Sequence, residues 1–152
     1  MTLSSRAPLR QPGIRRRAAS VAIAALTGLA WLPPAVNAKA DEIVMASSGV
    51  TYVTGGAGTE AVDRLRAMER DFNLKLVFAL SNGEYLADVD VSVVDVANHV
   101  VLDTSAEGPL LLAKLPAGSY HVNANYRGSV EHRAVAVGAA SLRTVDFRWP
   151  SE

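Results

Sequence analysis

Residues 115–126 read LPAGSYHVNANY, a turn that leads directly into a strand of alternating polarity. Pro116 fixes φ at about −65° at the start of the turn, and Gly118 is expected to adopt the φ values that close it. One face of the strand takes the less polar side chains, Tyr120, Val122, Ala124 and Tyr126. The other face takes the polar side chains, His121, Asn123, Asn125 and Arg127. The stretch therefore predicts a strand with one buried face and one solvated face.

Six further segments have the short length and the apolar patterning of strands. A hairpin is predicted at Asn82-Gly83, because both residues accept positive φ, and a second turn is predicted at Ala97-Asn98. The seven segments are residues 74–80, 89–93, 100–102, 110–112, 120–126, 133–137 and 145–149. Seven short strands separated by turn signals are typical of a sandwich. The predicted fold class is all-β, a seven-stranded antiparallel sandwich over residues 73–150.

One amphipathic helix is predicted ahead of the strands, over residues 59–72. Thr59 is a suitable N-cap, and the helix should run from Glu60 to about Asp71. Apolar side chains recur at helical spacing and should pack on the sandwich: Val62, Leu65, Met68 and Phe72. Residues 39–58 are weakly patterned and rich in glycine, so we expect a flexible arm. Within it, residues 50–53 are the candidate short strand, and Tyr52 is the side chain expected to dock on the domain.

Residues 1–38 have the three parts of a secretory signal peptide. Five arginines lie before an apolar run of 15 residues, 18–32, and this basic segment contains no acidic residue. Small residues follow the run up to Ala38. The alternative is a transmembrane anchor, but a spanning helix needs about 18 to 20 apolar residues. We therefore expect cleavage near Ala38, a periplasmic or secreted location, and no membrane anchor after cleavage.

Removing residues 1–38 would change the charge balance. The full chain has 15 basic and 15 acidic residues, so the loss of five arginines leaves 10 against 15, a net charge of −5. That balance argues against a nucleic acid or an anionic membrane as the partner. The chain has no cysteine, and hence neither a disulfide nor a lipoprotein anchor. The remaining domain must be stabilised by core burial alone, which its size permits.

Four motifs in the second half of the chain recur in one known family. They are residues 89–95 (VDVSVVD), Gly108 before an apolar strand, residues 115–122 (LPAGSYHV) and residues 145–147 (VDF). With them, residues 72–149 resemble a carboxypeptidase regulatory-like domain, of the prealbumin-like (transthyretin-like) branch of Ig-like sandwiches. Members often have a glycine in the hairpin after the second strand, where this chain has Ala97-Asn98-His99. The resemblance implies a non-catalytic accessory module, sometimes grouped with carbohydrate-binding-like folds, in a small exported proteobacterial protein.

The residues that often carry catalysis or metal binding lie in no recognisable motif. His99, His121 and His132 fall in separate segments without the spacing of zinc ligands. A serine hydrolase would need a motif such as G-x-S-x-G, which is missing from the sequence. Four acidic residues could suggest calcium: Asp88, Asp90, Asp95 and Asp103. Alternation places Asp88 and Asp90 on one strand face about 7 Å apart, which suits a solvated edge better than a calcium cage. Gly55-Gly56-Ala57-Gly58 favours a hinge over an anion site, since the strand and lysine of a phosphate loop are missing. We therefore predict no enzyme activity, no metal and no cofactor.

The most usable binding surface is the polar face of the strand described first: His121, Asn123, Asn125 and Arg127. Amide and imidazole groups supply the paired donors and acceptors that recognise sugars or peptide backbone. The alternative is a solvated sheet face without a ligand. Asparagine is unfavourable in strands, and two in one strand favour a binding role. The predicted function is an exported binding module for an envelope protein or glycan. The alternatives are an assembly accessory that acts by strand addition through the arm and, less favoured, a hydrolase.

Overall fold

The computed structural model describes residues 43–46 and 48–151. The predicted signal peptide and residues 39–42 and 47 of the predicted arm lie outside the described residues. Along the described chain the elements are β1 (Val44–Met45), β2 (Thr51–Gly55), α1 (Thr59–Met68), a 3-10 turn (Glu69–Asp71), β3 (Leu74–Leu80), β4 (Val89–Asp95), β5 (Val100–Ala106), β6 (Leu110–Lys114), β7 (Gly118–Tyr126), β8 (Ser129–Val137) and β9 (Arg143–Trp149).

The strands form two sheets with the main core between them. The five-stranded sheet has the order β1-β2-β6-β3-β9, and the four-stranded sheet has the order β5-β4-β7-β8. Both sheets contribute alternate side chains to one buried cluster, which includes Phe78, Phe147, Val91 and Val122. A second cluster lies between the five-stranded sheet and α1. Because β6 contributes to both clusters, Leu110, Leu111 and Leu112 are all buried, as expected for a fully covered strand.

The seven predicted strands are present as β3–β9, and the all-β class is confirmed. Two details of the prediction are wrong. The described chain has nine strands rather than seven, and β9 runs parallel to β3 over seven residue pairs, from Leu74↔Arg143 to Leu80↔Trp149. Strands joined by a tight hairpin are antiparallel, but β3 and β9 are distant in sequence, so no turn fixes their relative direction.

Residues 51–55 correct the prediction of a flexible arm. They form β2, which pairs with β6 over five residues and buries Val53 completely. Gly108 packs against β2, because a Cβ on Gly108 would lie 2.3 Å from the carbonyl oxygen of Gly55. Only glycine permits this approach of two backbones. The expected docking of Tyr52 is confirmed, since its hydroxyl lies 3.1 Å from that of Thr104 across the two sheets.

Helix α1 packs its predicted stripe on the outer side of the five-stranded sheet. Leu65 and Phe72 are buried there, with Val62 and Met68 partly buried beside them. The predicted start at residue 59 is confirmed, but the predicted N-cap and the predicted C-terminal end are wrong. The helix begins at Thr59 with Gly58 as its N-cap, and the 3-10 turn replaces its predicted last turn. Lys75 of β3 forms an ion pair with Glu69 and so links this turn to the sheet.

The predicted hairpin at Asn82-Gly83 does not pair β3 with β4. A tight turn does form, with hydrogen bonds from Gly83 N to Leu80 O and from Leu80 N to Glu84 O. The chain then crosses to the other sheet, where β4 pairs with β5 and β7. The local turn was predicted correctly, but the long-range pairing of β3 with β6 and β9 determines its neighbours.

The turn at residues 115–120 is held by Tyr120 rather than by the conformation of Gly118. Gly118 has no positive φ and is the first residue of β7, paired with Val137, which corrects the predicted role. The hydroxyl of Tyr120 donates a hydrogen bond of 2.6 Å to the carbonyl oxygen of Pro116. This arrangement is a tyrosine corner, in which a buried ring ties a strand to the turn before it.

Two other turns use positive φ. Asn98 (φ 62) closes the β4–β5 hairpin. Arg127 (φ 50) and Gly128 (φ 88) form a two-residue hairpin turn between the paired residues Tyr126 and Ser129. Positive φ at both central residues defines a type I′ turn, which matches the twist of the flanking strands.

Candidate functional site

Three of the four predicted site residues lie together on one surface. His121, Asn123 and Asn125 point from β7 to the side of the four-stranded sheet that faces away from the core, which we call the outer face. His121 is exposed, and Asn123 and Asn125 are partly exposed. Helix α1 packs instead on the five-stranded sheet. Among the described residues, the outer face therefore has no covering element.

Strand register aligns polar side chains in rows across the outer face. Asn123 lies opposite Ser92 of β4 on one side and His132 of β8 on the other, and Ser92 lies opposite Asp103 of β5. We call Asp103, Ser92, Asn123 and His132 the polar row. Neighbouring strands are about 4.8 Å apart, so the row spans the full width of the sheet. A parallel row contains Ser105, Asp90, Asn125 and Val130.

Two hydrogen bonds within the outer face assign different roles to its asparagines. Nδ1 of His132 lies 2.6 Å from Oδ1 of Asn123, which orients the amide within the polar row. Oδ1 of Asn125 accepts a hydrogen bond of 3.0 Å from the backbone N–H of Gly128. Asn125 therefore stabilises the β7–β8 turn, which gives this asparagine a structural reason to be in a strand. Asn123 is the amide available at the centre of the surface.

A shallow depression of 120 Å³ lies on the acidic half of the outer face. Its polar lining consists of Asp90, Ser92, Asp103, Asn123 and Asn125. Carboxylates there accept hydrogen bonds, the hydroxyl both donates and accepts, and the amides supply donors. This set of hydrogen-bond donors and acceptors suits a ligand rich in hydroxyl or peptide groups.

Arg127 lies off the outer face, contrary to the prediction. β7 ends at Tyr126, so the alternation of a strand no longer applies at the next residue. The type I′ turn places the guanidinium of Arg127 over the ring of Tyr126, 5.1 Å from its centroid. Arg127 and Tyr126 line a separate pocket of 440 Å³, the end pocket, which also includes Leu80, Asn82, Glu84 and Trp149.

Away from the polar row, one histidine lies close to one carboxylate. Nδ1 of His99 lies 3.3 Å from Oδ2 of Asp95, at the exposed β4–β5 turn. The pKa of Asp95 is held below its usual 3.8, chiefly because its carboxylate accepts a hydrogen bond from the backbone N–H of His99. In the described chain, neither His121 nor His132 contacts a serine hydroxyl or a carboxylate. No three His, Cys, Asp or Glu side chains of the described residues lie close enough together to hold a metal ion.

Sequence reasoning missed the residues that complete the surface. Ser92 and Asp90 alternate with the buried valines of β4, so the sequence pattern predicts that they are exposed. Their position beside Asn123 depends on the order of the strands, which the pattern does not give. It also missed Asn73, which is fully buried and joins three segments. Its Nδ2 donates to the carbonyls of Leu115 (2.7 Å) and Gly138 (2.8 Å), and its Oδ1 accepts from Leu115 N (2.8 Å).

Within residues 43–46 and 48–151, every helix is too short or too polar to span a bilayer. A scan against protein-family models and a search of curated proteins give no match to this chain.

Proposed function

We propose that this protein is an exported, non-catalytic binding module that engages an envelope protein or glycan through the outer face of its four-stranded sheet. The observation that carries this proposal is the polar row. Asp103, Ser92, Asn123 and His132 place hydrogen-bonding groups on four adjacent strands. A rigid sheet holds such groups in fixed positions, which lowers the entropy cost of binding.

The proposed fold family is the carboxypeptidase regulatory-like, prealbumin-like domain. Its support is the set of seven strands β3–β9 together with the tyrosine corner between Tyr120 and Pro116. Asn98, with φ 62, supplies the hairpin geometry for which related domains often use glycine. The predicted signal peptide supports a periplasmic or secreted location.

Paired alanine variants test this proposal. Ser92→Ala with Asn123→Ala removes two central members of the polar row, while Thr144→Ala with Asp146→Ala removes two exposed groups from β9 in the other sheet. The purified protein without residues 1–38 is applied to a glycan array and cross-linked to envelope fractions. We expect a specific partner for the wild type and the β9 control, and a signal reduced about tenfold or more for the polar-row variant. Binding to neither class of partner, or equal signals from all three proteins, would reject the proposal.

Strand addition to the five-stranded sheet is a second candidate function. The predicted arm cannot donate β2, because β2 is already paired with β6. The edge strand β1 is instead suited to accept a strand. Ile43, Val44 and Met45 are exposed there. The other edge strands each carry charged side chains, which discourage pairing: Asp103 in β5, Glu131 and Arg133 in β8, and Arg143, Asp146 and Arg148 in β9.

Lysine substitutions separate this candidate from the first. Val44→Lys with Met45→Lys would charge the β1 edge, and Val96→Lys would add a charge at the exposed β4–β5 turn as the control. Strand addition predicts that only the β1 variant loses assembly with its partner. Normal assembly of the β1 variant would exclude this mechanism, and a loss confined to the polar-row variant would favour the outer face.

A further inference from the structure

We propose that the end pocket is a second binding site, separate from the outer face, and that it takes a saccharide bearing a carboxylate. The pocket lies where the two sheets meet at one end of the sandwich. The ends of β3 and β9 contribute Leu80 and Trp149, and the β7–β8 turn contributes Tyr126 and Arg127. Its volume of 440 Å³ lies within the usual range for small-molecule sites.

The conformation of Arg127 is the first argument for a binding role. It occupies the first central position of a type I′ turn with φ 50, where glycine, asparagine and aspartate are favoured. An arginine in the left-handed region is strained, and such strain is concentrated at functional sites. The fold alone would favour a different residue here. The guanidinium is the feature that an asparagine or glycine could not supply.

The chemistry of the lining selects the class of ligand. Arg127 offers a planar guanidinium that binds a carboxylate through two parallel hydrogen bonds. Glu84 and Asn82, on the neighbouring turn, offer a carboxylate and an amide. Hydroxyl groups of a sugar donate to Glu84, whereas a simple inorganic anion would be repelled by it. The saccharide therefore satisfies both charged residues of the pocket.

The apolar side of the pocket is the partly buried ring of Tyr126, with the buried ring of Trp149 behind it. The rings of Tyr126 and Trp149 pack against each other with centroids 5.8 Å apart. Trp149 is fixed further, because its indole N–H donates a hydrogen bond of 2.9 Å to the carbonyl of Ser129. These contacts fix Tyr126, and the guanidinium of Arg127 lies over its ring, so the charged group is held at the edge of the pocket.

The test uses Arg127→Asn, because asparagine is compatible with the positive φ of the turn while removing the guanidinium. Arg148→Asn, on the exposed side of β9, makes the same change of charge away from the pocket. The probes are a disaccharide containing glucuronic acid, its methyl ester, and a dipeptide with free termini. Binding to the purified protein is measured by calorimetry, and the unfolding temperature of each variant is measured alongside.

We expect the wild type and Arg148→Asn to bind the acidic disaccharide equally. We expect binding to weaken roughly tenfold or more on Arg127→Asn or on esterification of the ligand. The unfolding temperature of Arg127→Asn should equal or exceed that of the wild type. Equal binding of acid and ester, unchanged binding by Arg127→Asn, stronger binding of the dipeptide, or no binding of the acid would each overturn the proposal. The polar row is intact in both variants, so these outcomes are independent of the proposed function.

Discussion

The hydroxyl of Tyr120 hydrogen-bonds to the carbonyl of Pro116, four residues earlier, at 2.6 Å. This contact fixes the start of β7, the strand that carries three residues of the outer face. Burial of the ring raises the pKa of Tyr120 above its usual 10.0, and the nearby charge of Asp95 adds to this effect. The neutral hydroxyl is therefore part of the native structure.

Tyr120→Phe should lower the free energy of unfolding by about 1 kcal/mol, the net value of one hydrogen bond. Because the folded pKa is raised, the tyrosine contributes its full stability below pH 10.0 and loses it as the pH rises through the folded pKa. Urea unfolding at about pH 8 and about pH 11 should therefore show a smaller difference between wild type and variant at the higher pH. Tyr85→Phe, at an exposed ring, is the control; an equal loss there would contradict the assignment.

Gly108→Ala should destabilise the domain, whereas Gly118→Ala should not. A Cβ on Gly108 would lie 2.3 Å from the Gly55 carbonyl oxygen, so one backbone must move. A Cβ on Gly118 would lie 3.7 Å from the Tyr120 ring, an ordinary contact. Thermal unfolding should show a loss of roughly 2 kcal/mol or more for the first variant. Similar stabilities for the two variants would show that β2 does not pack against residue 108.

Asn73→Ala should be among the most damaging single substitutions. It leaves the carbonyls of Leu115 and Gly138 and the N–H of Leu115 without their side-chain partner in a buried site. Unsatisfied buried groups cost about 1–3 kcal/mol each, so chemical denaturation should show a loss of about 3 kcal/mol or more. Asn82→Ala removes only one exposed hydrogen bond, to Glu84 N, and should cost about 1 kcal/mol or less. Equal effects would contradict the bridging role of Asn73.

The strands were predictable because period-2 patterning is local, and the valines of β4 alternate with polar residues in an unambiguous way. Strand order was not predictable, because it depends on contacts between distant segments. Thus Asn82-Gly83 marks a turn without revealing that β3 lies between β6 and β9. β2 (Thr51–Gly55) was predicted only as a short candidate strand over residues 50–53, because its apolar pattern is short and adjoins glycines. In the candidate site, alternation placed His121, Asn123 and Asn125 correctly but failed at Arg127, one residue past the end of the strand.

Asp95→Asn should weaken the domain at neutral pH and have less effect in acid. The folded pKa of Asp95 is depressed, so its contribution is complete above the ordinary value of 3.8 and is lost as pH falls through the folded pKa. Urea titrations at about pH 7 and about pH 3 measure the difference directly. A gap between wild type and variant that is constant or larger in acid would contradict the hydrogen bonds at the β4–β5 turn.

Site-specific photo-cross-linking at Asn123 tests the proposed binding surface most directly. A photoreactive residue is placed at position 123, or at position 144 on the exposed side of β9, in the full chain expressed in cells. The outer-face account predicts a discrete adduct from position 123 that is absent or much weaker from position 144. Adducts of equal yield from both positions, or none above background from position 123, would contradict it.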